Sequence, residues 1–267
     1  MSNSKNHITK DGIRIHEKND FLGMAKAGRI AAYILDTIGD AIVPGIMTIE
    51  IDRIIHDMIV KSEATSATVG YKGYKHASCI SINHVVCHGI PGPKTLNSGD
   101  ILNIDVTVLV EGWYGDSSRM YCAGNISKKS ERLITVTHDA LFKGIEQVKP
   151  GNTFGDIGFA IQNYAEANGM SVVRDFCGHG LGRVFHAPPN VLHYGVAGSG
   201  PILEEGMFFT IEPMINLGKP DTKVLNDGWT AVTRDKSLSS QFEHSVGVTS
   251  NGFEIFTLSP KNLFFNY

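Results

Sequence analysis

The chain has 267 residues, with 24 Lys and Arg against 27 Asp and Glu and a formal net charge of −3. That balance excludes a broadly basic nucleic-acid binder and a polybasic membrane-surface protein. Hydrophobic residues make up 42% and charged residues 19%, the proportions of a folded globular chain rather than a disordered one.

A first helix starts near Asp20, where Phe21, Met24, Gly28, Ala31, Leu35 and Ile38 recur at helical spacing until Val43-Pro44-Gly45 stops the pattern. A second follows Thr48, read as its N-cap, with Ile51, Ile55, Met58 and Ile59 on one side. Extended segments come next, over Cys79 to Asn83, Val85 to His88 and Ile101 to Val110. In the last of these Leu102, Ile104, Val106 and Val108 alternate with Asn103, Asp105 and Thr107. Glu111-Gly112 is a turn, and Tyr114 to Cys122 returns as the second arm of a hairpin. Residues 130–148 are helical again, and Thr153 with Asp156 begins a further helix that stops at Asn168-Gly169. Strands are expected around Val172, over Met207 to Ile215, around Ala231, and over Ser245 to Leu258.

The four cysteines, Cys79, Cys87, Cys122 and Cys177, show no C-x-x-C spacing and fit reduced thiols. The first twenty residues hold no apolar core of a secretory signal, and no long apolar run occurs. The expectation is a cytoplasmic protein that neither crosses nor coats a membrane.

The order of helix, helix and strands occurs twice. Leu96-x-x-Gly99-x-x-x-Asn103-Ile104-Asp105 aligns with Leu203-x-x-Gly206-x-x-x-Thr210-Ile211-Glu212 at an offset of 107, and Pro44-Gly45 with Pro150-Gly151 at 106. His88-Gly-Ile-Pro91 matches His186-Ala-Pro-Pro189 at 98, and the gap to the next Gly is longer in the second copy by 9, which restores 107. Two similar halves are therefore expected, about 20–125 and 126–258, folded as one unit spanning 1–267 with a site between them.

Asp105 stands in the most β-branched strand of the chain, where an unpaired carboxylate costs several kcal/mol unless protonated or matched by a cation. A two-residue turn at Glu111-Gly112 sets Asp105 opposite Ser118 and Asp116 opposite Thr107, so both acids face the same way. The second half supplies Glu212, in an equally apolar context, and Glu243, with His179 held between glycines. Asp116 and Glu243 stand in polar stretches, where isolated acids are usually solvated. Four carboxylates balance two divalent cations, and an oxygen-rich set with one imidazole suits manganese, iron, cobalt or zinc. Phosphate-loop, H-E-x-x-H and G-x-S-x-G motifs are missing from the sequence.

The segments Gly70-Tyr71-x-Gly73-Tyr74, Cys79-x-Ser81-x-Asn83, His88-Gly-Ile-Pro91, Asn103-Ile-Asp105-Val, Gly115-Asp116, Cys177-Gly-His179-Gly-x-Gly182, Phe185-His186, Phe209-Thr-Ile-Glu212-Pro and Gln241-Phe-Glu243-His resemble the type I methionine aminopeptidases, from about residue 15 to 258. The resemblance implies an α+β pita-bread (creatinase/aminopeptidase-like) fold, with two pseudo-symmetric halves around a central curved antiparallel sheet. It implies a hydrolase that removes the N-terminal methionine from nascent proteins and peptides whose second residue is small, by a metal-activated hydroxide. Asp105 would chelate one metal, His179 and Glu212 the other, while Asp116 and Glu243 bridge. Glu212 would also shuttle the water's proton, and His88 and His186 would contact the substrate and steady the departing amine. The methionine pocket would be Tyr71, Tyr74, Cys79, Phe185 and Trp229, with Thr68 at its edge. Between Tyr74 and Cys79 the loop Lys75-His76-Ala77-Ser78 departs from many relatives. A monovalent cation near Asn83, Val85 and Ser239 is a further expectation, as is a monomer acting at the ribosome without nucleic-acid specificity. Two other readings are a prolidase or proline-directed aminopeptidase of the same fold, and an inactive relative that serves only as a binding module.

Overall fold

A short N-terminal hairpin pairing His7–Ile8 with Arg14–Ile15 precedes two amphipathic helices in a computed structural model that describes residues 7–261, 263, 265 and 266. The first six residues, part of the stretch read for a secretory signal, lie outside the described ones. Helix α1 (Asp20–Ile38) buries Met24, Ala27, Ala31, Ile34, Leu35 and Ile38, and runs into a 3-10 turn before α2 (Thr48–Lys61). Thr48 is the first residue of α2 and not its cap. Its hydroxyl exchanges hydrogen bonds with the backbone of Gly92, while the Glu50 carboxylate accepts the Met47 N–H at 2.9 Å. The first free N–H groups of the helix, on Thr48 and Ile49, are taken by Lys94 O and Gly92 O at 2.9 and 3.0 Å.

Strands β1 (Cys79–Ile82), β2 (Val85–Cys87), β3 (Ile101–Val110) and β4 (Trp113–Cys122) follow. β3 and β4 form the expected hairpin, with positive φ at both Glu111 and Gly112 as a two-residue turn requires. Its register sets Asp105 opposite Ser118 and Thr107 opposite Asp116, and β1 pairs along the other edge of β3 with Cys79 opposite Asp105. Leu102, Ile104, Val106 and Val108 enter a core shared with Ile34, Leu35, Ile51 and Ile55 of α1 and α2. The alternation of a strand then turns Asn103, Asp105 and Thr107 the opposite way. Gly115 on β4 lies directly against the backbone of Ala27 and Gly28, where any Cβ would overlap main chain.

In the second half, α3 (Lys128–Ile145) is capped by the Ser127 hydroxyl and α4 (Phe154–Ala167) by a reciprocal Thr153–Asp156 box. The eight strands used below are β5 (Gly178–Gly180), β6 (Ala187–Val191), β7 (Phe208–Ile211), β8 (Met214–Asn216), β9 (Ala231–Thr233), β10 (Ser239–Gln241), β11 (His244–Val248) and β12 (Phe253–Ile255). The run Met207 to Ile215, read as one strand, is two. Pro213 has no N–H to continue a ladder, so β7 pairs with β5 and β11 while β8 pairs with β10. The run Ser245 to Leu258 is likewise a hairpin of β11 and β12.

Leu133, Ile134, Leu141, Ile157 and Ile161 of α3 and α4 form a second core with Phe209, Ile211 and Val246. Segments of the two halves meet along β4 and the start of β11. Ser118 and Glu243 form an antiparallel bridge, Ser245 Oγ donates to Asp116 O at 2.6 Å, and Ser117 Oγ donates to Glu243 O at 2.7 Å. β9 pairs with β2, a further junction between them. Among the described residues no helix is long and apolar enough to cross a membrane.

Candidate metal centre

The hairpin register places Asp105 and Asp116 on one face of adjacent strands. Glu212 follows the last residue of β7, Glu243 precedes the first of β11, and these strands are paired. His179 is the middle residue of β5, which is wedged between β6 and β7. A Cβ on Gly178 would overlap Thr210 O, and one on Gly180 would overlap Pro188 O. Glycines on both sides are what let three strands close around this imidazole.

Hydrogen bonds fix the direction of each group. Thr107 Oγ1 donates to Asp116 Oδ1 at 2.7 Å, and Asp116 Oδ2 lies 3.5 Å from His179 Nε2. Thr210 Oγ1 accepts the His179 N–H and donates to Glu212 Oε1, both at 2.9 Å, and Glu212 Oε1 is 3.7 Å from His179 Nε2. His179 Nδ1 donates to Gly180 O at 3.1 Å, so Nε2 is the nitrogen that meets the acids. Asp116, His179 and Glu243 each offer a ligand atom within 4.8 Å of the others. Beside them Asp105 Oδ1 is buried without any hydrogen-bond partner.

Burial, then the charges of Asp116 and Glu212, hold Asp105 and Glu243 well above the usual carboxylate range. Burial lifts Glu212 to about 7 against the opposing pull of His179. Burial disfavours the charge on His179, yet its bond to Asp116 and the Glu212 charge bring it up to about 9. Four acids this close do not all ionise without a countercharge. An oxygen-rich donor set with one imidazole and an orphaned carboxylate oxygen fits divalent metal ions. Asp116 and Glu243, whose sequence surroundings suggest solvated groups, are 4% and 3% exposed. Their polar neighbours are the hydroxyls that bind the backbone at the seam.

The centre lies in a cavity of about 920 Å³ that is lined by every metal-binding, catalytic and methionine-pocket residue expected from the sequence, while Asn83, Val85 and Ser239 lie outside its lining. Tyr74 and Trp229 meet edge to face at 4.9 Å between centroids, and the Tyr74 hydroxyl donates to Ser78 O at 2.9 Å. Cys79 completes this end beside Asp105. On the other side Tyr71 packs on Phe185 at 4.9 Å and stacks on His186 at 5.2 Å, and His186 is 4.1 Å from His179. His88, at φ 56°, meets Phe176 and Trp229 edge to face. Burial keeps His88 and His186 from protonating; for His186 the neighbouring His179 charge adds to this and brings it to about 4. Thr68 directs its hydroxyl to His76 O at 2.7 Å, within its own loop.

Several contributors escaped sequence reading. Thr107 is set opposite Asp116 by the hairpin register, but the register does not show the bond from its hydroxyl to that carboxylate. Thr210 and Gln241 belong to quoted motifs but carry no role of their own there, and Phe176 lies next to a motif. Asp52 of α2 holds the loop at 75–78, accepting from Ala77 N, Ser78 N and Ser78 Oγ at 3.0, 2.9 and 2.7 Å. His193 accepts the Glu212 N–H at 3.0 Å, and burial brings it to about 3, so it stays neutral. A lone histidine carries no sequence signal for such a role. All four cysteines are unpaired.

A model of metallopeptidase family M24 matches residues 23–250. The methionine aminopeptidase of Rickettsia prowazekii (strain Madrid E) is 57% identical over 252 residues, covering 94% of this chain and 97% of that protein. That of Escherichia coli (strain K12) is 50% identical over 248 residues, covering 92% and 94%. The crystal structure of the Rickettsia prowazekii protein superposes with a TM-score of 0.92 over 92% of this chain and 100% of that one. The prolidase from Pyrococcus furiosus, 21% identical with a TM-score of 0.73 over 91% and 65% of the two chains, shares the fold.

Proposed function

The chain belongs to metallopeptidase family M24, and from that premise we infer that it is a metalloaminopeptidase that removes the N-terminal methionine of peptides and proteins. The observation that carries this reading is the meeting of Asp116, His179 and Glu243 ligand atoms within 4.8 Å, beside the orphaned Asp105 oxygen, in a cavity large enough for a peptide end. We assign Asp105 to one divalent ion, His179 and Glu212 to a second, and Asp116 and Glu243 to both. Manganese, iron, cobalt and zinc all suit this set. A single catalytic unit over 1–267, built of halves at about 20–125 and 126–258, brings these donors together.

When bound, the ions polarise the scissile carbonyl and lower the pKa of the attacking water. Glu212 takes the proton from that water and returns it to the departing amine. Its carboxyl is held for this by the Thr210 hydroxyl on Oε1 and by Gln241 Nε2 at 3.3 Å from Oε2. His88 and His186, both neutral, donate N–H to the substrate, His186 beside the leaving nitrogen. Tyr71, Tyr74, Cys79, Phe185 and Trp229 surround the thioether, an apolar and polarizable side chain that packs well on aromatic faces. Thr68 stiffens the edge of that pocket through its bond to His76 O. The enclosure suits a small second residue.

Nascent chains at the ribosome, in the cytoplasm, are the natural source of such ends, and we take the protein to act as a monomer. A monovalent cation near Asn83, Val85 and Ser239 is supported by the buried, partnerless Ser239 Oγ and Asn216 Oδ1 in neighbouring strands. The test is cleavage of Met-Ala-Ser against an x-Pro peptide after stripping and reloading with each of the four metals. Metal-dependent release of methionine is expected. Preference for x-Pro, or no hydrolysis with any metal, overturns the reading.

A further inference from the structure

The aromatic turn at the cavity also carries a cation that the reaction does not use. Lys72 has φ 47° and lies between Gly70 (φ 88°) and Gly73 (φ 86°). The turn closes on itself through Tyr71 N–H to Thr68 O (3.0 Å), Gly73 N–H to Gly70 O (3.2 Å) and Gly70 N–H to Tyr74 O (2.7 Å). A left-handed, β-carbon-bearing residue is held there by that network and is not free to relax away. Lys72 Nζ is 5.3 Å from the centroid of the Tyr71 ring, the ring that stacks on His186. The Tyr71 ring thus stands between the ammonium and His186, and both residues line the cavity. Among the described residues it forms no ion pair.

A cavity of about 920 Å³ exceeds what one thioether fills and takes in the residues beyond the scissile bond. Outside the candidate metal centre, two other charged side chains line it. Asp175 accepts the Thr222 hydroxyl at 2.6 Å, and Asp11 sits on the turn of the N-terminal hairpin, beside Gly12 and Pro188. Lys72 is the cation of the three and lies against the Tyr71 ring that stacks on His186, whereas Asp11, near the same segment at Pro188, does not attract an acidic side chain. The second substrate residue is small, so the third is the first whose side chain can reach it.

We propose that Lys72 selects substrates with an acidic third residue by direct ion pairing, an inference that rests on the aminopeptidase reading of this site. Peptides Met-Ala-Glu-Ser, Met-Ala-Gln-Ser and Met-Ala-Lys-Ser are compared by kcat/KM with the metal-loaded full chain. A partly exposed pair predicts an advantage of about fivefold for Glu over Lys, shrinking as salt is raised to about 0.5 M. Lys72→Gln should bring the ratio near one and Lys72→Arg should keep it. A ratio near one in the unmodified protein, or one that Lys72→Gln leaves unchanged, overturns this inference alone. No cleavage of any of the three peptides overturns the aminopeptidase reading and this inference with it.

Discussion

Asp36 and Asp116 are both almost fully buried acids, 2% and 4% exposed, but the chain treats them differently. Asp36 receives Arg119 Nη1 at 2.5 Å, the Ser259 hydroxyl at 2.8 Å and the Lys261 N–H at 3.0 Å. Its countercharge is internal. Asp116 has a hydroxyl on one oxygen and a histidine shared with Glu212 at the other, so a single imidazole serves more than one acid. Asp36→Ala leaves Arg119 buried and unpaired and should cost about 3–5 kcal/mol, read from denaturant midpoints of the metal-loaded protein. A cost within error of zero would contradict a pair that depends on both partners. At this scale the sequence was legible where an acid interrupts an apolar run, as Asp105 and Glu212 do. It was not legible for Asp36, Asp52 or His193, whose partners are distant in sequence and come from other elements.

The hairpin of β3 and β4 was readable to the residue, because ten positions of alternating pattern and a two-residue turn leave one register. The short strands β5 and β6 were not. Gly178-His179-Gly180 and Ala187-Pro188-Pro189 have no side-chain periodicity, and their extended form comes from pairing with β7 and with each other. The same pairing makes a prediction. Gly180→Ala puts a methyl into Pro188 O, so the strands must part, at about 1–3 kcal/mol in stability. Displacing His179 by about 1 Å should lower kcat/KM by about 100-fold. Thermal melts and peptide kinetics on the same preparation check both, and unchanged kinetics would show that strand spacing does not set the position of His179.

Across the whole molecule, two helix-covered cores each present strand faces to one cavity, and stability becomes linked to what binds there. Without cations, burial and mutual repulsion hold Asp105 and Glu243 high and Glu212 at about 7. The folded state then keeps protons that the unfolded chain releases. For such raised acids the stability they contribute is complete below the unfolded value and is lost as pH rises through the folded one. His179, raised to about 9, acts in the same sense. The difference in Tm between loaded and chelated protein should therefore widen from about pH 5 to pH 8, as metal displaces those protons. A difference that stays constant with pH would contradict the linkage. The repeated motifs made the pseudo-symmetric fold legible, whereas the hydroxyl-to-carbonyl seam through Ser117 and Ser245 was not, because serine has no pattern that marks such a contact.

The most direct measurement is anomalous scattering from crystals soaked in manganese. Two peaks are predicted, one against Asp105 and one against His179 and Glu212, with Asp116 and Glu243 reaching both. Absence of anomalous density at these carboxylates, or density only at surface groups outside the cavity, would contradict the account.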